Sequence, residues 1–589
     1  MEEETVSVPL LIFQSLSEVV SGISPLLVLA LVISICILTR ITTGITSRLS
    51  RTYPDGTISV RQVPYWLPYV GHAFSLGFRR RKLFENARKS TKEAVVSLNV
   101  RGKSHNAIFS PAIAAALLKQ SSSLSTEPAT DYILKNAFGA GRSVGTLNRS
   151  DFYGGSGPIQ FLSKEPWLTD ITSAIARQVQ QAMPNLLSFS PSVVDQSTWE
   201  RLSDVSISHE NGEPICEVYL FALVRNFIGT ISTTALMGSA FTEAFPYALN
   251  ELWNFDGNFN AILSSIPRWI PFPGLVSSYS SRRRLLLAMK VFHDAFAATE
   301  IGVDPGFDWR DMDDVSEAVK ARSRALIEAG CSAEAAASEH LAFFWAMNTI
   351  TNTLVFWNLV HILSDEELHE KILEEIAPYS NAARPDWRES GFNIPEPPRL
   401  RLDANALVSS CPILKATYYE SLRLYSLPLS YGQVTKDVSL AEPTVADSPS
   451  STYKCEAGTY VAIPHFIHNM NTDSFHEPTK FDPQRFFPHD LEKDSDTPDN
   501  YESSENEKLI SNDSISQKAN DIWPSEASPV LGFSREFAEG QALVFTAAFL
   551  TMWNIQRASG RRWTVPRQKA GSAVCVPRND VMVRMKLRV

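Results

Sequence analysis

The chain has 589 residues, a formal net charge of −10 and 44% hydrophobic residues, a composition ordinary for a globular protein with a full core. The negative charge argues against a nucleic-acid-binding protein. The six cysteines are scattered without metal-type spacing, so we expect reduced, mostly buried thiols and no metal site. They are Cys36, Cys216, Cys331, Cys411, Cys455 and Cys575.

The N-terminal segment has the pattern of a membrane anchor. Residues 23–38 carry no charge, and Gly22 and Thr39 extend the run towards the ~17–25 residues that span a bilayer. Glutamates precede the run and Arg40 follows it, which predicts that the rest of the chain faces the cytosol. A cleaved signal peptide is disfavoured because no basic region or small-residue cleavage site is present. We therefore predict an anchor over 1–40, a linker over 41–62 and a single-pass endoplasmic-reticulum protein.

The segments after the linker predict a mainly α fold with small β-sheets. Prolines and a glycine over 63–72 indicate an ordered loop, and residues 94–100 and 105–109 show the alternation of strands. Residues 163–380 have helical patterns. The C-terminal run 581–589 alternates apolar and basic residues, as a half-buried strand does.

The run from Ala333 to Leu363 predicts a long central helix. It is apolar nearly all round, which is typical of a helix buried in the core. Residues 364–367, Ser-Asp-Glu-Glu, then predict a capping box that opens the next helix.

Two further motifs lie beyond the central helix. The segment 410–425 predicts a helix with Pro412 in its first turn, and Glu420 and Arg423, three residues apart, share one face. The later segment 481–488, Phe-Asp-Pro-Gln-Arg-Phe-Phe-Pro, is an irregular loop that carries Arg485.

A helical Glu-x-x-Arg followed by Pro-x-Arg-Phe resembles the lock of cytochrome P-450 proteins. The loop at 63–72 resembles the entry segment of the membrane-bound members, in particular the prostacyclin-synthase and sterol 7-hydroxylase branch. The resemblance covers roughly 60–589 and implies a cytochrome P-450 fold over 63–589 behind one N-terminal transmembrane helix. It also implies that Glu420, Arg423 and Arg485 form a buried structural triad.

Residues 489–521 interrupt this domain with acids interleaved with Ser, Asn and Pro. Such a segment cannot bury enough apolar surface to fold, so we predict a disordered, solvated insertion.

The haem loop of the family lies directly before the helix that begins near Ala542, and its cysteine ligates the iron. An ungapped match of that helix puts the cysteine position on Gly532, and a second placement puts it on Ala538. In either placement, residues 523–545 contain no cysteine, histidine, methionine or tyrosine. We therefore expect that the haem ligand is lost, that haem content is low and that no cofactor is needed.

The central helix corresponds to the family's oxygen-binding helix, where most members place an acid followed by threonine. The window 345–357 contains no acid. Its pocket candidates are Trp345, Asn348, Thr349 and Thr351. The alternative is that these polar side chains bond back to helix carbonyls or to buried water.

These expectations leave three functions open. The first, which we favour, is a non-redox enzyme that uses the pocket for cyclisation, cycloaddition or isomerisation of an apolar terpenoid or polyketide, because a preformed pocket holds a flexible substrate near its reactive shape. Its catalytic residues are not identified, and neither NADPH nor a reductase is expected. The second is a catalytically dead binding or scaffold pseudoenzyme. The third is a haem monooxygenase with an unrecognised ligand.

Overall fold

The computed structural model describes residues 24–49, 52–53, 56–91, 93–120, 123–141, 147–153, 157–210, 212–385, 398–442, 452–487, 534–560 and 562–588. Helices account for 54% of the structure, and the strands form small sheets, as the sequence predicts. The predicted acidic insertion at 489–521 lies outside the described residues.

The described α-helices are numbered in chain order. Helices α1 to α7 are Pro25–Thr46, Ala73–Phe78, Arg80–Ser90, Pro111–Lys119, Glu127–Asn136, Arg149–Tyr153 and Trp167–Ala182. Helices α8 to α14 are Thr198–Arg201, Leu220–Met237, Ser239–Ala244, Ala248–Gly257, Phe259–Leu263, Leu275–Glu300 and Glu317–Glu328. Helices α15 to α21 are Ala333–Thr349, Thr351–Ser364, Glu366–Ile376, Ala404–Ser410, Pro412–Tyr425, His465–His468 and Arg535–Met552.

The strands are numbered in the same way. Strands β1 to β9 are Ile58–Ser59, Arg61–Gln62, Val95–Val100, Lys103–Ile108, Leu124–Ser125, Ser206–Glu210, Glu213–Tyr219, Ser380–Ala383 and Arg399–Leu402. Strands β10 to β17 are Leu429–Val434, Val438–Ala441, Thr452–Cys455, Tyr460–Pro464, Trp553–Arg557, Gln568–Ala570, Cys575–Pro577 and Met582–Leu587.

Helix α1 is longer than the predicted anchor core. It runs from Pro25 to Thr46, with a mean hydropathy of 2.3 over its most apolar window, and most of its side chains are exposed. Such a helix is long and apolar enough to cross a membrane, and its place near the N-terminus also fits a signal sequence. Near its C-terminal end the hydroxyl of Thr43 donates to the Thr39 carbonyl one turn back, so this polar group is satisfied within the helix.

Short polar side chains begin several of the helices that follow. Ser110, Ser332 and Ser534 each accept a hydrogen bond from the backbone N–H three residues on, which satisfies one of the free donors of the first turn. Helix α17 begins in the same way, but its cap is Asp365. The predicted box at Ser364 does not form because the Ser364 hydroxyl donates to the Val360 carbonyl of the preceding helix.

Contacts divide the chain into two compact units, and the first comprises residues 1–125 and 431–463. Its larger sheet has the strand order β2-β3-β4-β13-β10-β5, and its smaller sheet has the order β1-β12-β11. Strands β3 and β4 form an antiparallel pair with Val95 opposite Ile108, and β13 lies parallel to β4. Val95 and Ile108 lie in a buried cluster with Ile463 that also includes residues of α4 and of the smaller sheet, so the core of this unit lies between these elements.

The second unit comprises residues 126–430 and 464–589 and contains most of the helices. Helices α7, α9, α16 and α21 pack together as its core. Polar contacts tie them: Asn358 Nδ2 of α16 lies 3.5 Å from Thr546 Oγ1 of α21, and Gln541 Nε2 of α21 lies 3.1 Å from Ser232 Oγ of α9. The C-terminal strand β17 is half-buried as predicted, and it pairs with β14 and β7 in a four-stranded sheet.

Candidate functional site

The predicted central helix is two helices, α15 and α16, with a break at Ile350 (φ −93°, ψ −65°). Thr349 Oγ1 donates to the Trp345 carbonyl at 2.9 Å, and Thr353 Oγ1 donates to the Thr349 carbonyl at 3.1 Å. Hydroxyls that bond back in this way weaken and bend a helix, which accounts for a break here. Thr349 therefore has its hydroxyl engaged within the helix, and Thr351 is buried as well.

The two amides of the predicted window face helix α9. Asn348 Nδ2 donates to the Phe344 carbonyl at 3.1 Å and lies 3.4 Å from Thr233 Oγ1. Asn352 Nδ2 donates to the Arg225 carbonyl at 3.2 Å. Both amides thus hold α15 and α16 against α9. The amide oxygens of Asn348 and Asn352 are buried and receive no hydrogen bond from the described residues.

Trp345 lies in an aromatic cluster made by α11, α12 and the segment after α5. Its ring stacks on Phe259 with a centroid distance of 4.6 Å and an interplanar angle of 12°, and the Phe138 ring packs edge-on with a centroid distance of 5.8 Å. Phe255 of α11 contacts both phenylalanines. Of the four predicted pocket residues, Trp345 is therefore the one that the structure places in an apolar setting suited to a hydrophobic ligand.

The Trp345 indole N–H donates to Asp256 Oδ1 at 2.8 Å, and the Ser572 hydroxyl donates to the same oxygen at 2.6 Å. Burial raises the pKa of the Asp256 carboxyl, although both hydrogen bonds and the charge of Arg225 oppose that rise. The sequence does not single out Asp256. Helix α11 carries two acids, Glu251 and Asp256, among aromatic residues, and a solvated helix face has the same pattern.

The predicted triad residues lie together. Arg423 binds Glu420 through two nitrogens, with Nη2 to Oε1 at 2.7 Å and Nε to Oε2 at 2.8 Å. Arg485 Nε lies 3.3 Å from Glu420 Oε1. Glu420 and Arg423 are completely buried. Arg423 also donates to the carbonyls of Asn469 and Pro478, so it joins α19 to the segment after α20.

A second buried charge cluster joins α19 to α21. Lys415 Nζ lies 2.7 Å from Glu539 Oε1, and the Tyr419 hydroxyl donates to Glu539 Oε2 at 2.5 Å. This cluster fixes the first turns of α21 against α19. Because the predicted ligand loop precedes α21 directly, the end of that loop is anchored by these contacts and by the Ser534 cap.

Of the two predicted positions of the lost haem ligand, Ala538 lies within the described residues and Gly532 does not. Ala538 lies in α21, fully buried, and its methyl group cannot ligate iron. Among the described cysteines, none lies on α15, α16 or α21.

Within the described residues, the helices that correspond to the haem-flanking helices of the resembled family are buried and apolar. Helices α15 and α16 are buried from Ala335 to Val360, and α21 is buried over most of its length. Two apolar, close-packed helices of this kind suit the walls of a macrocycle site. The residues that would bind the iron precede α21, in the part of the chain outside the description.

Comparisons with known proteins agree with the resemblance to cytochrome P-450 proteins that the sequence motifs indicate. The model of the cytochrome P450 family matches residues 219–501. Cytochrome P450 monooxygenase poxD of Penicillium oxalicum is 21% identical over 439 residues, which cover 73% of this chain and 77% of that protein. Cytochrome P450 monooxygenase efuG of Hormonema carpetanum is 21% identical over 433 residues, covering 71% and 69%. Cytochrome P450 monooxygenase fsoE of Humicola fuscoatra is 24% identical over 220 residues, covering 37% and 35%.

These comparisons correct the prediction about the cofactor. The expectation of no cofactor and little haem was wrong, because the family match and the monooxygenase relatives point to haem. The ligand motif alone does not decide whether haem binds. A missing ligand removes one iron bond, whereas apolar side chains around the macrocycle would supply many further contacts.

The fold and the comparisons lead to one assignment. The sequence motifs, the largely helical structure and the family match over 219–501 agree with one another, and an apolar helix that could associate with a membrane precedes the domain. The chain is a member of the cytochrome P450 family.

Proposed function

We propose that this protein is an enzyme of secondary metabolism that rearranges an apolar small molecule, by cyclisation, cycloaddition or isomerisation, without consuming NADPH. The observation that supports the proposal is the composition of the central helix. The window from Trp345 to Trp357 contains no acid, and its hydroxyl at Thr349 donates to a helix carbonyl.

An oxygenating member of the family needs a route for protons to bound oxygen, which the resemblance assigns to an acid and a threonine on this helix. Here Asn348 stands before Thr349, and its amide is engaged with α9 and a helix carbonyl. A neutral amide does not deliver protons as a carboxylic acid does. A rearrangement avoids this requirement, because it draws on the shape and the hydrogen bonds of the pocket.

The sequence before and into α21 also supports a rearrangement rather than an oxygenation. Residues 523–545 contain no cysteine, histidine, methionine or tyrosine, so we propose that the thiolate ligand is absent at both Gly532 and Ala538. Thiolate ligation favours the cleavage of the O–O bond, and its loss removes that drive. The proposal takes haem as the bound cofactor and concerns only the reaction.

We further propose that α1 anchors the enzyme in the endoplasmic-reticulum membrane with its domain in the cytosol. Acids precede the apolar segment and Arg40 and Arg48 follow it, and positive charge is retained on the cytosolic side. An apolar terpenoid or polyketide dissolved in that membrane could then reach the enzyme without crossing water.

A second candidate is an NADPH-dependent monooxygenase, which is what the names of the relatives state for those proteins. Microsomes that contain the protein, incubated with terpenoid and polyketide intermediates with and without NADPH, separate the two. Conversion without NADPH and without added oxygen atoms supports a rearrangement. Conversion that requires NADPH supports the monooxygenase, and no conversion of any intermediate supports a pseudoenzyme.

A further inference from the structure

The Asp256 carboxyl lies where three elements of the helical unit meet. Asp256 is near the C-terminal end of α11, Trp345 belongs to the central helix and Ser572 lies in the turn between β15 and β16. Asp256 Oδ1 accepts the hydrogen bonds of both partners, at 2.8 Å and 2.6 Å. These two bonds fix the orientation of the carboxyl group, since one of its oxygens is held from two directions.

The turn that carries Ser572 is built to reach this point. A Cβ atom added to Gly571 would lie 2.3 Å from the Val574 carbonyl oxygen, so a residue with a side chain does not fit there. The Gly571 N–H donates to that carbonyl at 3.1 Å and closes the turn. The position of the Ser572 hydroxyl is therefore set by the backbone.

The second carboxyl oxygen, Oδ2, is the free one. It receives no hydrogen bond from the described residues, and no described lysine or arginine forms an ion pair with Asp256. Oδ2 is not one of the buried polar atoms that lack a hydrogen-bond partner, because part of its surface is accessible. The Asp256 residue is only partly buried. A carboxyl oxygen with accessible surface and no protein partner can bind a group of a ligand.

The surroundings define which ligand would fit. Phe259 stacks on Trp345, the donor to Asp256, and each of these two keeps 6% of its surface accessible, whereas Phe138 and Phe255, which contact them, are completely buried. The charge of Arg225 lowers the pKa of Asp256, but its guanidinium group lies over the rings of Trp253 and Phe221. A molecule in this setting must be largely apolar and must place one hydrogen-bonding group at Oδ2.

We infer that Asp256 is the polar anchor of the substrate pocket, and that it binds the hydroxyl group of an otherwise apolar molecule through Oδ2. A hydroxyl fits either ionisation state, because it donates to a carboxylate and accepts from a carboxylic acid. A carbonyl group would bind only the protonated form, and an ammonium group only the ionised form. The C-terminal end of α11 and the burial of the site both disfavour the ionised form, so a neutral hydroxyl is the better partner.

This inference rests on the proposed function, because it names the class of molecule that the enzyme would rearrange. The test uses farnesol and farnesene, which share an apolar chain and differ by a hydroxyl group. Dissociation constants of the detergent-solubilised full-length holoprotein for the two probes are measured by equilibrium dialysis. We expect the wild type to bind farnesol about tenfold more tightly than farnesene, as one good hydrogen bond to a carboxyl would give.

In Asp256→Leu this preference should fall to about twofold or less, because the anchor is gone. The matched control is Glu243→Leu, which removes an exposed acid of the neighbouring helix α10 and should keep the wild-type preference. If Asp256→Leu does not fold, the combined variant Asp256→Leu, Trp345→Phe, Ser572→Ala replaces the stranded donors as well and serves in its place.

A wild type that does not distinguish the probes, or binds neither, overturns the inference, as does a preference that survives in Asp256→Leu. The outcome is separate from that of the NADPH experiment. A hydroxyl preference that depends on Asp256, together with NADPH-dependent conversion, leaves the anchor in place and overturns the proposed rearrangement. Conversion without NADPH and without any hydroxyl preference overturns only the anchor.

Discussion

Glu420 and Arg423 form a two-bond ion pair in which neither side chain is accessible to solvent. The guanidinium nitrogens Nη2 and Nε lie 2.7 Å and 2.8 Å from the two carboxylate oxygens. The remaining nitrogen of Arg423, Nη1, donates to two backbone carbonyls, and the ring of Phe475 lies 5.0 Å from the guanidinium carbon. A charge with all its donors satisfied in this way stabilises the fold only while every partner is present.

Arg423→Ala should therefore prevent the protein from accumulating in folded form. Among the described residues, it leaves the buried Glu420 carboxylate with Arg485 Nε at 3.3 Å and the Asp482 backbone N–H as its donors. We expect a loss of about 3–5 kcal/mol in the free energy of unfolding, which is a large part of the stability of a typical domain. The yield of detergent-soluble, monodisperse protein and its melting temperature measure the effect.

The control for this variant is Arg324→Ala. Arg324 also binds a carboxylate through two nitrogens, those of Glu300, but its side chain is 46% exposed. We expect a cost of about 1 kcal/mol or less there, because solvent screens an exposed pair. Equal melting temperatures for the two variants would contradict a buried structural role for Arg423.

Much of the secondary structure around Glu420 and Arg423 could be predicted from the sequence, because local residue patterns encode it. The helix that carries Glu420 begins at Pro412 and ends at Tyr425, as its proline and its spacing predict. The C-terminal strand follows its predicted alternation, whereas the early strands β3 and β4 form near the predicted positions but are buried over four successive residues each. The triad followed from a resemblance, since Arg485 is far from Glu420 in sequence.

Other features depend on tertiary partners and could not be predicted. The break at Ile350 lies beside Thr349 and Thr353, whose hydroxyls bond back to helix carbonyls, and the sequence alone does not fix whether such hydroxyls bond back or face a neighbouring helix. Asp256 depends on Trp345 and Ser572, which are 89 and 316 residues away. The direction of Asn348 towards α9 likewise depends on a packing partner, Thr233, that its own helix does not reveal.

The cluster around Glu539 gives a second prediction. Lys415→Met removes the ammonium group 2.7 Å from Glu539 Oε1 and leaves the carboxylate with the Tyr419 hydroxyl. Both charged side chains are about nine-tenths buried. We expect the free energy of unfolding to fall by about 3 kcal/mol, and the double variant Lys415→Met, Glu539→Gln to recover part of that loss. Thermal melting of the three proteins measures the coupling, and a double variant no more stable than Lys415→Met would contradict it.

A third prediction concerns the membrane. Removal of residues 1–46 deletes α1, whose exposed apolar side chains are the reason to expect membrane association. We expect the truncated protein to leave the membrane pellet at high salt, whereas the full chain stays in it. In sealed microsomes, added protease should digest the domain after α1. Protection of the domain would show that it lies in the lumen.

The fourth prediction concerns the iron. We expect the purified protein to contain haem, in line with its family, but to lack the red-shifted Soret band of thiolate-ligated haem after reduction with carbon monoxide. The reason is that residues 523–545 contain no cysteine and that no described cysteine lies on α15, α16 or α21. Haem content by the pyridine haemochrome assay and the carbon monoxide difference spectrum test both parts. A thiolate band would mean that a cysteine from another segment reaches the iron.

The last prediction uses Glu375, a residue of α17 whose carboxyl group contacts the first turn of α19. Its carboxyl oxygens accept the backbone N–H groups of Ile413 and Leu414 at 2.7 Å and 2.8 Å, so they satisfy two free donors of the first turn. Burial nevertheless raises the pKa of this carboxyl from 4.5 to about 7, because loss of water outweighs the two hydrogen bonds.

Between these two values the folded protein holds a proton on Glu375 that the unfolded chain has released. The free energy of unfolding must therefore fall as the pH rises through this window, and the contribution is present below it. In Glu375→Gln the side chain does not titrate, so the melting temperature of the wild type should decline relative to the variant between about pH 5 and about pH 7.5. Glu374→Gln alters the exposed neighbour and should follow the wild type. Parallel melting curves for the wild type and Glu375→Gln across this range would mean that Glu375 is ionised throughout, with its two backbone hydrogen bonds outweighing burial.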